Sequence, residues 1–311
     1  MSVNSVDALT SRNNEKLVYP NPSKEITLEY GENHPTLVDW KFYTAHEFKD
    51  GDTKKDGTPL GFEPHHTAHM SRVARVNNEH CSHVKGGVLH IWSKQEEDSI
   101  DNAYGKKVKY STACYRTYKE RNKQFWCNFT ENMRIEIRFK RTNTVGFNDA
   151  LWFMGNNKKK WPANGEIDLL ENPKKQINQT AHFTLHSENH HAGVIGGKGS
   201  VTATVDLEDM TQWNIYWLEW FPDRIVGGVN GDAYFEHKRG SGGNIDWPWS
   251  DKNGFYLIFS TGISTNPQAW PGKIEPSQWD EKNPPSMFID WIRVYTNAEY
   301  KGEKPPKAKY Y

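Results

Sequence analysis

The segment "WPANGEIDLLEN", residues 161–172, places three carboxylates, Glu166, Asp168 and Glu171, within six residues. Carboxylates this close are costly unless they bind a metal, meet cations or move protons, because each charge raises its neighbours' affinity for a proton. Proton chemistry at a sugar acetal needs such a set. One ionised carboxylate attacks the anomeric carbon or activates water, while a protonated one delivers a proton to the departing oxygen.

The strand that carries these groups poses a problem of direction. Side chains alternate faces along a strand, so Glu166 and Asp168 share a side and Glu171 points away. A one-residue β-bulge around Leu169 and Leu170 resets the alternation and returns Glu171 to the acidic face. Ile167 and one or both leucines are then free to enter a core. Four effective strand steps separate the Cα atoms of Glu166 and Glu171 by roughly 13 Å. Side chains leaning inward over Asp168 can close that toward the spacing of about 5–5.5 Å used for retention, against about 6.5–9.5 Å for inversion.

The elements around this segment read as strands. "MRIEIRFK" alternates Met133, Ile135, Ile137 and Phe139 with Arg134, Glu136, Arg138 and Lys140, the pattern of a half-buried strand. "AHFTLHS" sets Ala181, Phe183 and Leu185 against His182, Thr184 and His186, and "VTATVDL" repeats the alternation. "GGVLHIWSK", "WNIYWLEWF", "FYLIFSTG" and "MFIDWIRVY" add further strands, while long helical periodicity is scarce. Many strands joined by Gly-, Asn- and Pro-rich turns imply an all-β sandwich or barrel. Residues 48–70 lack periodicity and read as a large loop. The expected organisation is a flexible segment over 1–18, one β-sandwich domain over 19–297 and a tail over 298–311.

Composition narrows the partners. The 311 residues hold 39 Lys and Arg against 39 Asp and Glu, a balance that speaks against a general nucleic-acid binder or polybasic membrane module. No apolar run is long enough to span a bilayer, and the first residues carry no signal-peptide pattern. Cys81, Cys114 and Cys127 are too few for a disulfide scaffold; one bridge with a free thiol and three thiols are both open. The 13 Trp suit either a large core or sugar faces, since an aromatic ring stacks on the C–H face of a sugar. His65, His66, His69, His190 and His191 lack the spacing of a helical zinc site, so no metal is expected among them. Lys158, Lys159 and Lys160 before the motif, with Lys174 and Lys175 after it, suit a sulfated or sialylated glycan or simply solvated loops. The sequons at Asn128 and Asn178 matter only in a eukaryotic secretory pathway.

"GEIDLLEN" resembles the Glu-x-Asp-x-x-Glu signature of glycoside hydrolase family 16, the laminarinase, agarase and endo-β-galactosidase group. "GGVLHIWSK", "MRIEIRFK", "ALWFMG", "HFTLH", "WNIYWLEWFPDRIVGGVNG" and "FIDWIRVY" follow the family's order over residues 86–295. The resemblance implies a concanavalin-like β-jelly-roll sandwich of two antiparallel sheets with an open substrate cleft. It implies Glu166 as nucleophile, Glu171 as general acid/base and Asp168 as the group that tunes the nucleophile. Trp161, and with it Trp152, would pack against the sugar, and His182 and His186 face the cleft or serve as ordinary strand histidines. The implied activity is an endo-acting retaining hydrolysis of internal β-linkages, in a secreted, periplasmic or cell-surface protein whose partner is a polysaccharide or glycan. No cofactor is required; relatives often carry a structural calcium, for which Asp290 is the position to inspect. A monomer is expected.

Two features depart from the glucan-active pattern: "NPKK" follows the last acid, and "FSTGIS" stands where a Gly-Gly strand is common. They tilt the expected substrate toward a galactose-containing glycan, with an endo-β-1,3-glucanase as the alternative. A lectin-like module that binds sugar without cutting it is the competing class, and the complete acid set opposes it.

Overall fold

The structure, a computed structural model, describes residues 39–66, 74–76, 78–119, 124–141, 144–172, 180–191, 201–207, 209–241, 246–275, 279–280 and 282–301. Segment 1–18, His69, Lys174, Lys175, Asn178 and residues 302–311 lie outside the described residues.

The first half contributes β1 (Lys41–His46), β2 (Glu63–Pro64), β3 (Ala74–Val76), β4 (Ser82–Lys85), β5 (Val88–Trp92), β6 (Lys94–Asp101), β7 (Lys107–Thr112), β8 (Cys114–Arg116), β9 (Tyr118–Lys119) and β10 (Gln124–Phe125). The second half adds β11 (Met133–Arg141), β12 (Phe147–Gly155), β13 (Glu166–Glu171), β14 (Thr180–His186), β15 (Val201–Asp206), β16 (Asn214–Trp220), β17 (Arg224–Val229), β18 (Asp232–Lys238), β19 (Phe255–Ile263) and β20 (Ser286–Thr296). A seven-stranded front sheet runs β15-β14-β13-β12-β19-β8-β2. Behind it an eight-stranded sheet runs β18-β17-β16-β11-β20-β5-β4, with β1 also paired to β20. Both are antiparallel, and together they form the jelly-roll sandwich that the alternation and the resemblance imply. A small sheet, β3-β7-β6, and the β9–β10 pair stand beside them.

The core lies between the sheets and is filled by the inward half of each alternating strand. Ile135, Ile137 and Phe139 from β11 meet Phe153, Ile167, Phe183 and Leu185 from the front sheet, all buried in one cluster. The loop over 48–70 joins them in its described part, where Phe48 and Phe62 are fully buried with stacked rings 5.8 Å apart. Tyr300, inside the expected tail, packs on Tyr43 with ring centroids 5.4 Å apart. The three cysteines are buried thiols without a bridge. Burial pushes the Cys81 thiol up to about 12 and raises Cys114 and Cys127 further. Among the described residues no helix is long and apolar enough to cross a membrane.

β11 is not half-buried as its alternation predicts. Arg134 and Glu136, expected to face water, are both buried. The Arg134 guanidinium bonds Glu136 at 2.8 Å and Glu219 at 2.7 Å and lies 4.2 Å from the Trp217 ring centroid. A wide aromatic side chain on the neighbouring strand covers the ion pair. That cover depends on β16 packing beside β11, which no local pattern encodes.

Candidate active site

β13 carries the acids, and its ladders show how. On the β14 side Glu166 lies opposite His186, Asp168 opposite Thr184 and Glu171 opposite His182. Three steps along β13 from Asp168 to Glu171 therefore match two steps on β14, so one extra residue sits at Leu169–Leu170. On the β12 side Trp152 faces Asp168 and Leu151 faces Leu170, with the same skip. Ile167, Leu169 and Leu170 are fully buried in the core. Glu166 and Glu171 are half-buried and Asp168 is buried between them. The bulge thus puts all three carboxylates on the face turned away from the core.

Local contacts hold the row. Trp249 donates its indole N–H to the Glu166 carbonyl at 3.1 Å, fixing the strand's start. Trp161, 48% exposed, donates its indole N–H to Glu166 Oε2. His186 Nε2 lies 3.1 Å from Asp168 Oδ2. Asn148 on β12 donates from Nδ2 to Glu171 Oε1 at 3.0 Å. Trp152 is half-buried beside Asp168 and donates to Ser260 Oγ at 3.0 Å. The turn that delivers Trp161 is pinned to the end of β12 by Gly155 N–H to Gly165 O at 3.0 Å.

Burial sets the electrostatics. It raises the proton affinity of Glu166 well above the ordinary carboxylate range, and the neighbouring Asp168 charge raises it further. Asp168 is likewise raised, first by burial and then by Glu171. Glu171 is raised by burial, with the Asn148 amide and His186 pulling the other way. The contact between the Glu166 and Asp168 side chains raises Glu166 and lowers Asp168, so the proton of that pair favours Glu166. The row therefore holds fewer charges than carboxylates, and its groups titrate together.

Of the residues read from the sequence, Trp161, Trp152, His182 and His186 all stand around the acids. His182, opposite Glu171, meets Trp270 edge-on with centroids 4.7 Å apart. Trp270 is 45% exposed and escaped the sequence reading, although an aromatic ring in the turn sequence "QAWPG" is a usable signal. Two exposed tryptophans thus bracket the row, Trp161 beside Glu166 and Trp270 beyond Glu171. Asn148 escaped as well, because nothing marks one Asn on a strand. His191 lies 5.1 Å from Trp161 between ring centroids, and Lys158, Lys159 and Lys160 are exposed just before it.

Asp290 is the position that the resemblance singles out for a structural calcium. Its carboxylate is paired with the Arg138 guanidinium, and Arg138 and Lys140 both lie over the Trp213 ring, 4.6 and 5.1 Å from its centroid. The guanidinium paired with this carboxylate would compete with a divalent ion there. Glu166, Asp168 and His186 bring one donor atom each within 4.8 Å of one another. The indole N–H already bonds Glu166 Oε2, while Asp168 Oδ2 is buried with no hydrogen-bond partner and has the His186 nitrogen beside it.

No family model matches the chain. The chain is 28% identical over 218 residues to the clotting factor G alpha subunit of Tachypleus tridentatus, covering 69% of this chain and 28% of that one. It is 30% identical over 167 residues to a keratan-sulfate endo-1,4-beta-galactosidase of Sphingobacterium multivorum, covering 52% of this chain and 36% of that one. A beta-glucanase of Rhodothermus marinus is 29% identical over 241 residues, covering 73% of each. The chain thus spans about a third of the length of the first two of these relatives. In fold, it matches the catalytic domain of an endo-1,3-beta-glucanase (laminarinase) from Thermotoga petrophila at a TM-score of 0.67 and 23% identity, over 84% of this chain and 99% of that domain. A structure reported for endo-acting O-glycanases of the human gut microbiota matches at 0.66 and 22% identity, over 86% of this chain and 96% of that one. Ordered strand motifs, shared sandwich topology and three acids turned to one face by a bulge are the features in which the chain resembles glycoside hydrolase family 16, to which one of the solved structures of the same fold belongs.

Proposed function

We propose that the chain is an endo-acting, retaining β-glycoside hydrolase. The observation that carries this reading is the bulge at Leu169–Leu170, which sets Glu166, Asp168 and Glu171 side by side on one surface with raised proton affinities. In the free enzyme the pair of Glu166 and Asp168 holds one proton, which favours Glu166, and a second sits on Glu171. Substrate binding moves the pair's proton to Asp168, so that Glu166 attacks the anomeric carbon as an anion steadied by the Trp161 N–H. Glu171 gives its proton to the departing sugar oxygen as that bond breaks. The resulting Glu171 carboxylate then takes a proton from water, whose oxygen attacks the glycosyl-enzyme and releases Glu166. Trp161 and Trp270 offer flat faces on either side of the cleavage point, which suits a chain that extends both ways.

The substrate we favour is a galactose-containing glycan, a reading supported by the Sphingobacterium relative and by the missing glucan-type motifs. A β-1,3-glucan is the second reading, supported by the laminarinase folds and the Rhodothermus relative. Substrates of either class lie outside cells, and the protein would act there. One digest separates the alternatives: laminarin, lichenan, agarose, porphyran, carrageenan, keratan sulfate and mucin glycans, with product size and anomeric configuration followed over time. Internal cleavage with retained configuration is expected, on galactan rather than glucan. Glu166→Gln and Glu171→Gln are each expected to lower kcat by about 10³-fold or more while oligosaccharide binding persists. Full activity in either variant, or a first product of inverted configuration, would overturn the mechanism.

A further inference from the structure

Beyond the bulge the β12–β13 ladder is closed by side chains instead of backbone. Leu151 and Leu170 pair, and two steps further along the register would set Asp149 opposite Asn172. There the Asn172 N–H goes to Asn148 Oδ1 at 2.9 Å, and the Asn172 side chain donates from Nδ2 to the Asp149 carbonyl at 2.7 Å. Asn148 in turn donates from Nδ2 to Glu171 Oε1 at 3.0 Å. A backbone N–H only donates, so the Asn148 atom that meets it must be the carbonyl oxygen. The amide nitrogen is then obliged to face Glu171. Register places Gly262 opposite Asn148 on the β19 side, so no side chain competes for that amide from there.

We infer that Asn148 is a positioning residue that dictates which oxygen of Glu171 carries the catalytic proton. A carbonyl oxygen accepts an N–H better than a hydroxyl oxygen does, so the N–H aimed at Oε1 disfavours a proton on that oxygen. The proton of the neutral acid is thereby favoured on Oε2, and after its transfer Oε1 keeps a donor while Oε2 accepts a proton from water. The Asn172 N–H, itself fixed by the strand, makes this choice part of the backbone. The inference rests on Glu171 being the acid/base, as proposed above.

The test compares Asn148→Ala and the isosteric Asn148→Asp with wild type, using a natural oligosaccharide and an aryl glycoside whose leaving group needs no proton. Asn148→Asp still accepts from Asn172 but offers Glu171 no fixed donor, so it stands in if Asn148→Ala fails to fold. Loss of the amide removes a contact that favours ionised Glu171. The basic limb of kcat/KM should therefore move up by about one pH unit, and further in Asn148→Asp. Turnover of the natural substrate should fall about tenfold or more, with the aryl glycoside affected much less and KM little changed. A basic limb unmoved in both variants, with equal losses on the two substrates, would overturn the inference. Retained activity in Glu171→Gln would instead overturn the reading beneath it, so the two failures are distinct.

Discussion

Each carboxylate of the row has a physical reason to hold its proton: burial for all three, with like charge second for Glu166 and Asp168. That has a consequence for stability as well as chemistry. Proton affinities raised in the folded state mean that the native chain binds more protons than the unfolded one, so the row's contribution to stability falls as pH rises above the ordinary carboxylate range of about 4. A glutamine cannot ionise and escapes that cost. Glu166→Gln should therefore melt higher than wild type at pH 7, by about 2–4 °C for each kcal/mol relieved, with the gap closing near pH 4. Thermal melts of both proteins across that range check it; a variant that melts lower at pH 7 would contradict the repulsion. At this scale the sequence was informative about acids and silent about their supports. Three carboxylates in six residues announce themselves and His186 was in view on the next strand, whereas Asn148 gains meaning only from its partners at the end of β13.

At the scale of elements, the bulge was legible because apolar residues filled the gaps between acids, and only one register satisfies both the core and the charges. The alternation of β14 was equally plain, with Ala181, Phe183 and Leu185 in the core and the histidines outward. What failed was β11, where a pattern of charges at every second residue reads as a wet face and is in fact roofed by Trp217. Local sequence shows polarity; it does not show what neighbour arrives. The Trp161 turn depends on a similarly hidden constraint. A Cβ on Gly155 would stand 1.9 Å from the Asn164 carbonyl oxygen, so the turn must move to admit one. Gly155→Ala should keep the sandwich yet displace Trp161 and lower kcat/KM about tenfold, since small misplacements cost large factors. Kinetics alongside circular dichroism would show it, and an unchanged kcat/KM would mean the turn is not rigidly tied.

Across the whole molecule, the two sheets divide their labour. The front sheet bears the acids on its outer surface, while the back sheet turns outward a layer in which arginines and tryptophans enclose ion pairs. Breaking one partner of a buried pair strands the other in a poor environment. Glu136→Ala should destabilise the protein by about 3 kcal/mol, at the low end for such pairs because Glu219 still faces Arg134. Urea unfolding would measure it, and activity below the transition should be unaffected because β11 lies behind the core. Fold class was readable from alternation alone, but the division between a working surface and an armoured one was not, since both sheets alternate alike.

The skip in register at Leu169–Leu170 interleaves cohesion with reactivity: in one ribbon of six residues, every side chain either glues the two layers or stands in the row of acids. Such a ribbon has nowhere to vary. If the proposed hydrolysis holds, retargeting to a new glycan would come from the flanking strands and turns, where Trp161, His182 and Trp270 can be exchanged one at a time while the row of acids stays as it is.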